Sequence, residues 1–287
     1  MIPVYNDWDS VKKLILEISH QVSIIKEYLF KIIIVNDGST LPKPNLNIPQ
    51  KIDSIKIINM KINQGHARCI ATGLKYIYEK EDFDYVIPMD GDGEDRPEEI
   101  SEFITQVKKS DNKAIVGERI KRSENLTFKI CYIMHKLITL TFTGKVIKYG
   151  NFTCLPKVVV EKMINEKATW NSFSGSLRKI ENDLISIPSV RGTRYFGPSK
   201  MSFFNLLKHS LSIISVFRQA VLIRSALFIV IYILLIKSYA SIITSIPLIL
   251  LLVMIYSISN LALRENMDEF DNSLKNISNI DNFKNDV

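Results

Sequence analysis

Up to about residue 120 the chain alternates short apolar runs with stretches of helical periodicity. Pro3-Val4-Tyr5 reads as the end of a strand that begins near residue 2, so close to the start that a shortened or trimmed chain is one explanation. Val11, Leu14, Ile15 and Ile18 recur at helical spacing. A helix capped by Asp9 or Ser10 and running to about Tyr28 is predicted. Lys31–Val35 is a β-branched run that stops in the turn Asn36-Asp37-Gly38-Ser39, and Ser54–Met60 reads as a third strand. Gln64–Tyr78 has helical spacing, Tyr85–Met89 reads as a buried strand, Pro97–Val107 as a helix with proline in its first turn, and Ala114–Val116 as a fifth strand. Strands separated by helices imply right-handed crossovers and a mostly parallel α/β sheet. Ligands of such sheets sit at the carboxyl ends of the strands, where Asp37, Asp90 and Gly117-Glu118-Arg119 fall.

The pattern changes after residue 200. Phe203, Phe204, Leu207, Leu211, Ile214 and Phe217 fall near one face of a predicted amphipathic helix over 201–220, suited to a membrane interface. Val221–Tyr239 and Ala240–Leu263 are apolar spans, each about the length that crosses a bilayer. Arg224 and Lys237 lie near the two ends of the first, where long stems let their charges reach the interfaces. Lys208, Arg218, Arg224 and Arg264 flank the pair of spans against Lys237 in the connecting turn. Positive residues favour the cytoplasmic side, so the domain and the tail are expected there, on a bacterial inner or plasma membrane. The organisation read from the pattern is a catalytic domain 1–200, a juxtamembrane helix 201–220, two spans within 221–263, and a mobile acidic tail 264–287.

Charge and cysteine content narrow the partners. The formal net charge is +7, and because the tail is acidic the positive excess lies in the first 225 residues. That balance suits nucleotides, lipid phosphates or an anionic membrane face. Nucleic acid is not expected, for there is neither zinc-finger spacing nor an RNA-recognition signature. Cys69, Cys131 and Cys154 lack metal-type pairing and read as free thiols of a reducing compartment. Pro3 and Asp7 interrupt any early apolar run, so no signal peptide is predicted.

The sharpest chemistry lies in Asp90-Gly91-Asp92-Gly93-Glu94-Asp95, four carboxylates in six positions directly after an apolar strand. Clustered carboxylates repel unless a positive charge sits among them. Alternate residues of an extended segment face the same way, so Asp90, Asp92 and Glu94 are expected to converge on Mg²⁺ or Mn²⁺, which take oxygen ligands. A calcium-binding EF-hand loop is excluded, because its sixth position would be Asp95 and its twelfth Ser101.

Pro3-Val4-Tyr5-Asn6-Asp7, Val35-Asn36-Asp37-Gly38-Ser39, Asn63-x-Gly65 and the aspartate run occur in an order that resembles family 2 glycosyltransferases of the GT-A fold. Within that family, Arg194-Tyr195-Phe196-Gly197-Pro198-Ser199-Lys200 is similar to the Arg-x-x-Gly-x-Ser-Lys run of polyprenyl-phosphate sugar synthases of the dolichyl-phosphate mannose synthase type. The resemblance covers about residues 2–200. It implies a nucleoside-diphosphate sugar donor, a polyprenyl phosphate acceptor, a lipid bilayer, and room for a homo-oligomer. It also implies that Pro3, Tyr5 and Asp7 line the nucleotide pocket and that Asp37 contacts base or ribose. Asp90, Asp92 and Glu94 hold the metal and the diphosphate, and Arg119, Arg194 and Lys200 bind phosphate groups. Asp7 and Glu94 stand where relatives often have Glu and Gln, and Gly150-Asn151-Phe152-Thr153-Cys154 departs from a Gly-Phe-Arg pattern. Arg194 and Lys200 flank a Gly-Pro turn just before the juxtamembrane helix, which suggests an acceptor headgroup site apart from the donor carboxylates. Two alternatives remain at this point. One is transfer to a hydroxyl of a lipid-linked glycan, for which Glu181 or Asp183 would be the candidate base; the other is a noncatalytic nucleotide-sugar binder.

Overall fold

The computed structural model describes residues 1–46, 48–121, 126–198 and 203–284. Strands β1 (Ile2–Val4), β2 (Lys31–Asn36) and β3 (Ser54–Met60) pair in parallel, with Ile2 opposite Ile34 and Ile32 opposite Ile55. Helix α1 (Trp8–Val22) returns from β1, and α2 (His66–Lys80) follows β3. The alternation of β2 feeds two cores, as a strand buried on both faces must. Ile32 and Ile34 pack with Val11, Leu14 and Phe103 on one face. Ile33 and Val35 pack with Ile70, Leu74 and Trp170 on the other.

A second sheet holds β4 (Tyr85–Val86), β5 (Ile115–Lys121), β6 (Thr153–Pro156) and β7 (Ile185–Val190) in the order β4-β6-β5-β7. Here β6 is antiparallel to both neighbours and β5 is parallel to β7. The second half is therefore mixed rather than mostly parallel, because β6 enters from the opposite end after α4 (Leu126–Thr143). The short α3 (Ile100–Val107) precedes β5, while α5 (Lys157–Ile164) and α6 (Phe173–Ile180) lie between β6 and β7. The strand expected over Tyr85–Met89 ends at Val86. Beyond it the chain joins the first sheet through Met1, whose amine donates to the Ile87 carbonyl (2.9 Å) and whose carbonyl accepts the Met89 amide (3.0 Å). Helix α1 also stops short of Tyr28. The chain leaves the helix after Val22, so that Ile25, Tyr28 and Phe30 pack back against the core.

Three helices follow β7: α7 (Phe203–Ser215), α8 (Arg218–Ile236) and α9 (Ile242–Ala262). The last two are long and apolar enough to cross a bilayer, and only 11 % of the positions in each span are buried. Ile214, Val221 and Ile258 tie α7, α8 and α9 together, with Ile138 and Phe142 of α4 packed on them. Arg224, expected to reach an interface, donates to the Thr141 carbonyl of α4 (3.1 Å) and lies against Gly144.

The segment after α9 does not behave as the expected mobile tail. Helix α10 (Met267–Asp271) buries Phe270, stacked on Trp170 at 5.4 Å. Two of its three acidic residues form ion pairs. Glu269 accepts from Arg68 and from the Trp170 indole, both at 2.9 Å, and Asp271 from Lys75 at 2.7 Å. Strand β8 (Ile277–Lys284) then runs antiparallel to β3 and supplies the partner that its unpaired backbone edge requires.

Candidate active site

The site lies where the carboxyl ends of β1, β2 and β5 meet the turn after β4 and the loop after β7. At the end of β1, Pro3 is buried in the strand and Tyr5 is exposed. Asn6 adopts φ 53°, and its side-chain oxygen accepts the Thr40 and Leu41 amides at 2.8 and 2.9 Å, which joins the β1 and β2 turns. Asp37 is buried, and its two oxygens accept the Gln64 and Gly65 amides, each at 2.9 Å. Burial pushes its carboxyl up, against those two bonds. Asp37 thus fixes the loop that opens α2, and its carboxylate is engaged by its own chain rather than held out toward a ligand.

The carboxylate turn is shaped by its glycines. A side chain at Gly91 would crowd the Pro3 carbonyl of β1. Gly93 combines φ +86° with a close approach to the Tyr195 ring, a position open to a residue without Cβ. The loop after β7 lies along this turn, with the Gly192 amide donating to Glu94 O (2.8 Å) and the Tyr195 amide to Asp92 O (2.9 Å). Two guanidinium groups of that loop take the carboxylates. Arg191 pairs with Glu94, and Arg194 bridges Asp92 (2.7 Å) and Asp7. Tyr195 closes the loop on α1 by donating to Glu17, with the Lys13 ammonium 4.3 Å from its ring centre.

The predicted convergence of Asp90, Asp92 and Glu94 therefore does not occur in this form. Among the described residues no three His, Cys, Asp or Glu side chains stand together as a metal site. Repulsion among the carboxylates is relieved instead by arginines from the opposite loop, and Glu94 is turned toward Arg191. Asp90 faces another way. Its Oδ1 lies 3.3 Å from His66 Nε2 and 3.4 Å from the Asn151 amide nitrogen, which is itself 2.7 Å from His66 Nε2. Burial would push the Asp90 carboxyl up, but His66, then Arg119 and Arg191, hold it well below the usual range. Asp92 is raised by burial and then by the charge of Asp90, against Arg194 and Arg191. The Asp90 charge raises the His66 imidazole in spite of the ring's own desolvation. Asp95, the fourth carboxylate of the run, is buried and accepts the Asp90 amide at 2.8 Å. Burial and the neighbouring Asp90 charge raise its carboxyl strongly.

Arg119 lies close enough to this cluster to act on Asp90 and Asp95. It lies against Gly150, where a side chain would collide with its guanidinium. Arg194 is placed otherwise than expected, on Asp7 and Asp92 rather than apart from the carboxylate run, because the loop folds back over the turn. Lys200 lies outside the described residues. The base candidates are not at the site. Glu181 pairs with Lys162 and Asp183 with Lys113, and both precede the amino end of β7, opposite the end that carries the carboxylates. From the sequence, His66 reads as a surface or packing residue, and neither Asn151 nor Arg191 is given a role at the site. The position of His66 directly after Asn63-x-Gly65, at the mouth of α2, was the signal available for it.

The sequence pattern of Glycosyl transferase family 2 matches residues 1–165. The chain belongs to this family. It is distantly related to undecaprenyl-phosphate sugar transferases. The undecaprenyl-phosphate 4-deoxy-4-formamido-L-arabinose transferase of Klebsiella pneumoniae is 23 % identical over 222 residues, a match covering 72 % of this chain and 63 % of that protein. The family 2 chain therefore spans less than two thirds of the length of that relative. An uncharacterized glycosyltransferase of Synechocystis is 34 % identical over 107 residues, 36 % of this chain and 32 % of that one. Among solved structures, glucosyl-3-phosphoglycerate synthase from Mycobacterium tuberculosis, in complex with Mn²⁺, uridine diphosphate and glucosyl-3-phosphoglycerate, is similar with a TM-score of 0.50 at 11 % identity. That likeness covers 76 % of this chain and 77 % of that one, and it shows the GT-A-like fold.

Proposed function

We propose that this family 2 glycosyltransferase moves a sugar from a nucleoside-diphosphate sugar to a polyprenyl phosphate, in one inverting step at the cytoplasmic face of a membrane. One observation carries the reading. Two carboxylates, Asp90 and Asp92, share a strand-end cluster with Arg119, Arg191 and Arg194, in a chain that continues into two exposed apolar helices.

A divalent cation fits this site through two carboxylates rather than three. Asp90 and Asp92 offer only oxygen donors, and Mg²⁺ commonly takes one or two carboxylates together with substrate phosphates. When bound, such an ion would neutralise charge on the diphosphate leaving group. Arg194 Nε is buried with no acceptor in the protein, a donor left over for a phosphate oxygen. The chain's own residues do the rest. The Asn6 and Asp37 turns form the floor for the nucleotide beside Tyr5. Arg119 lies close enough to Asp90 and Asp95 to act on their charge, and it holds an acceptor phosphate by charge-assisted bonds. An acceptor phosphate oxygen bonds to the anomeric carbon as the bond to the diphosphate breaks. That oxygen is already ionised near neutral pH, so no proton need be removed.

The test uses the full chain in detergent, a panel of nucleoside-diphosphate sugars and a short polyprenyl phosphate. The expected product is an acid-labile glycosyl phosphate lipid. His66→Gln separates the two acceptor classes, because His66 is the imidazole beside Asp90 that could serve as a base. With a phosphate acceptor its loss is expected to lower kcat less than about tenfold. A drop of about 10²–10⁴, the usual worth of a general base, or transfer to glycan hydroxyls alone, would sink the phosphate reading. Binding of donor without turnover on any acceptor would sink the enzymatic one.

A further inference from the structure

Strand β8 begins beside the carboxyl end of β3, with Ile277 opposite Met60, and connects to the nucleotide side of the site through side chains rather than through its backbone alone. Asp281 of β8 sits opposite Ile57 of β3 and accepts from the Asn59 side-chain amide (2.7 Å) and from Lys43. Asn59 Oδ1 in turn accepts from the Asn36 amide group (2.9 Å), and Asn36 Oδ1 accepts the Ser39 backbone amide (3.0 Å). Ser39 Oγ accepts the Asn6 amide at 2.9 Å. The chain of bonds thus runs from β8 through the ends of β3 and β2 to the turn after β2, and from there to the loop after β1.

The chemistry gives this chain a direction. An asparagine amide can present its oxygen or its nitrogen to a neighbour, whereas an ionised carboxylate only accepts. Asp281 therefore obliges Asn59 to point its NH₂ outward and its oxygen inward. That orientation makes Asn36 donate to Asn59 and leaves the Asn36 oxygen free for Ser39. Lys43 keeps Asp281 ionised, and so keeps it an acceptor. Asn36 is buried, where a reversed amide would face the Ser39 amide with a second donor.

We propose that Asp281 and Asn59 are positioning residues of the donor site, and that β8, after the two apolar helices, sets the geometry of the 36–39 turn that receives the nucleotide. The inference rests on the nucleotide reading above and deepens it. The catalytic domain is then complete only when the chain has passed through both apolar helices and returned.

The experiment uses the full chain in detergent with UDP, GDP, CDP and dTDP as probes, each with Mn²⁺, by calorimetry. Hydrogen exchange over residues 36–41 is followed alongside. Asp281→Ala is expected to speed exchange in that segment and to weaken the best-binding nucleotide about three- to tenfold, the worth of a single hydrogen bond. Asp281→Asn restores part of the affinity, since an amide can accept but no longer dictates direction. Phe283→Ala, which loosens β8 from the core without touching the bond chain, lowers the thermal midpoint and leaves nucleotide affinity within about twofold. Should Asp281→Ala fail to fold, Asn59→Leu breaks the same chain from β3. Unchanged exchange and affinity in a folded Asp281→Ala or Asn59→Leu variant overturns the proposal, as does faster exchange with unchanged affinity. If the wild type binds none of the four nucleotides, the nucleotide reading falls and the donor-site role of β8 falls with it. The exchange result then still decides whether Asp281 holds the turn.

Discussion

At the scale of residues, the site is a balance of like charges held by guanidinium groups. Asp90 and Asp92 repel, and Arg194 and Arg191 offset that repulsion. Asp92→Asn removes one negative charge while Arg194 keeps Asp7 as a partner, so the domain is expected to stay folded. Turnover should fall at least about tenfold, roughly 1.4 kcal/mol of transition-state stabilisation. Chelation with EDTA should abolish activity, and Mg²⁺ or Mn²⁺ restore it; full turnover in EDTA would exclude a metal. Arg194 bridges Asp7 and Asp92, the carboxylates proposed to receive the donor. Arg194→Ala is expected to raise the donor KM about ten- to a hundredfold, the range of a lost charge-assisted contact of about 1.5–3 kcal/mol, with the acceptor KM little changed. Arg194→Lys should rescue only partly, because one ammonium cannot span Asp7 and Asp92 as a planar guanidinium does. A change confined to the acceptor KM would return Arg194 to the acceptor role suggested by its place in the sequence.

At the scale of elements, α8 and α9 are long and apolar enough to cross a bilayer. Their apolar side chains are exposed almost throughout, which water would penalise by about 25 cal/mol per Å². Ser241 caps α9 by a reciprocal pair of bonds with Thr244, so the turn between the helices is well defined. A cysteine placed at Tyr239 is expected to react with an impermeant maleimide from outside intact cells. One placed at Asn282 in β8 should react only after the membrane is opened. The opposite pattern, or release of the protein by high salt without detergent, would refute a two-span anchor. The native thiols should not interfere at Cys69 and Cys154, which are buried. Burial raises both thiols, Cys154 to about 12.

At the scale of the whole molecule, the chain leaves its sheet, forms α8 and α9, and comes back to close the sheet's edge. This return gives stability a pH signature. The bond from Lys43, with a second from Asn59, holds the Asp281 carboxyl below its ordinary value. The lowered group binds its proton less readily folded than unfolded. Its contribution is therefore complete above the ordinary aspartate value, about 3.9, and is lost as pH falls through the lower folded value. Asp281→Asn should flatten the acid limb of the thermal midpoint below about pH 4, and an acid limb identical to wild type would show that the Lys43 contact contributes nothing. The local sequence determined the alternation of strands and helices, the two apolar spans, and the placing of Asp37 and Asp90 after strands. Each of these follows from periodicity or from short-range turn chemistry, and the family resemblance rested on the same short motifs. Arg119, read as following a strand that ends at Val116, lies within the longer β5. Only the tertiary structure decided the pairing of charges between segments far apart in the chain. Arg191 and Arg194 reach Glu94 and Asp92 across about a hundred positions. Asp281 reaches Asn59 across more than two hundred. An acidic, asparagine-rich tail looks solvated when read alone, because nothing local reveals that β3 leaves an open edge for it to pair with.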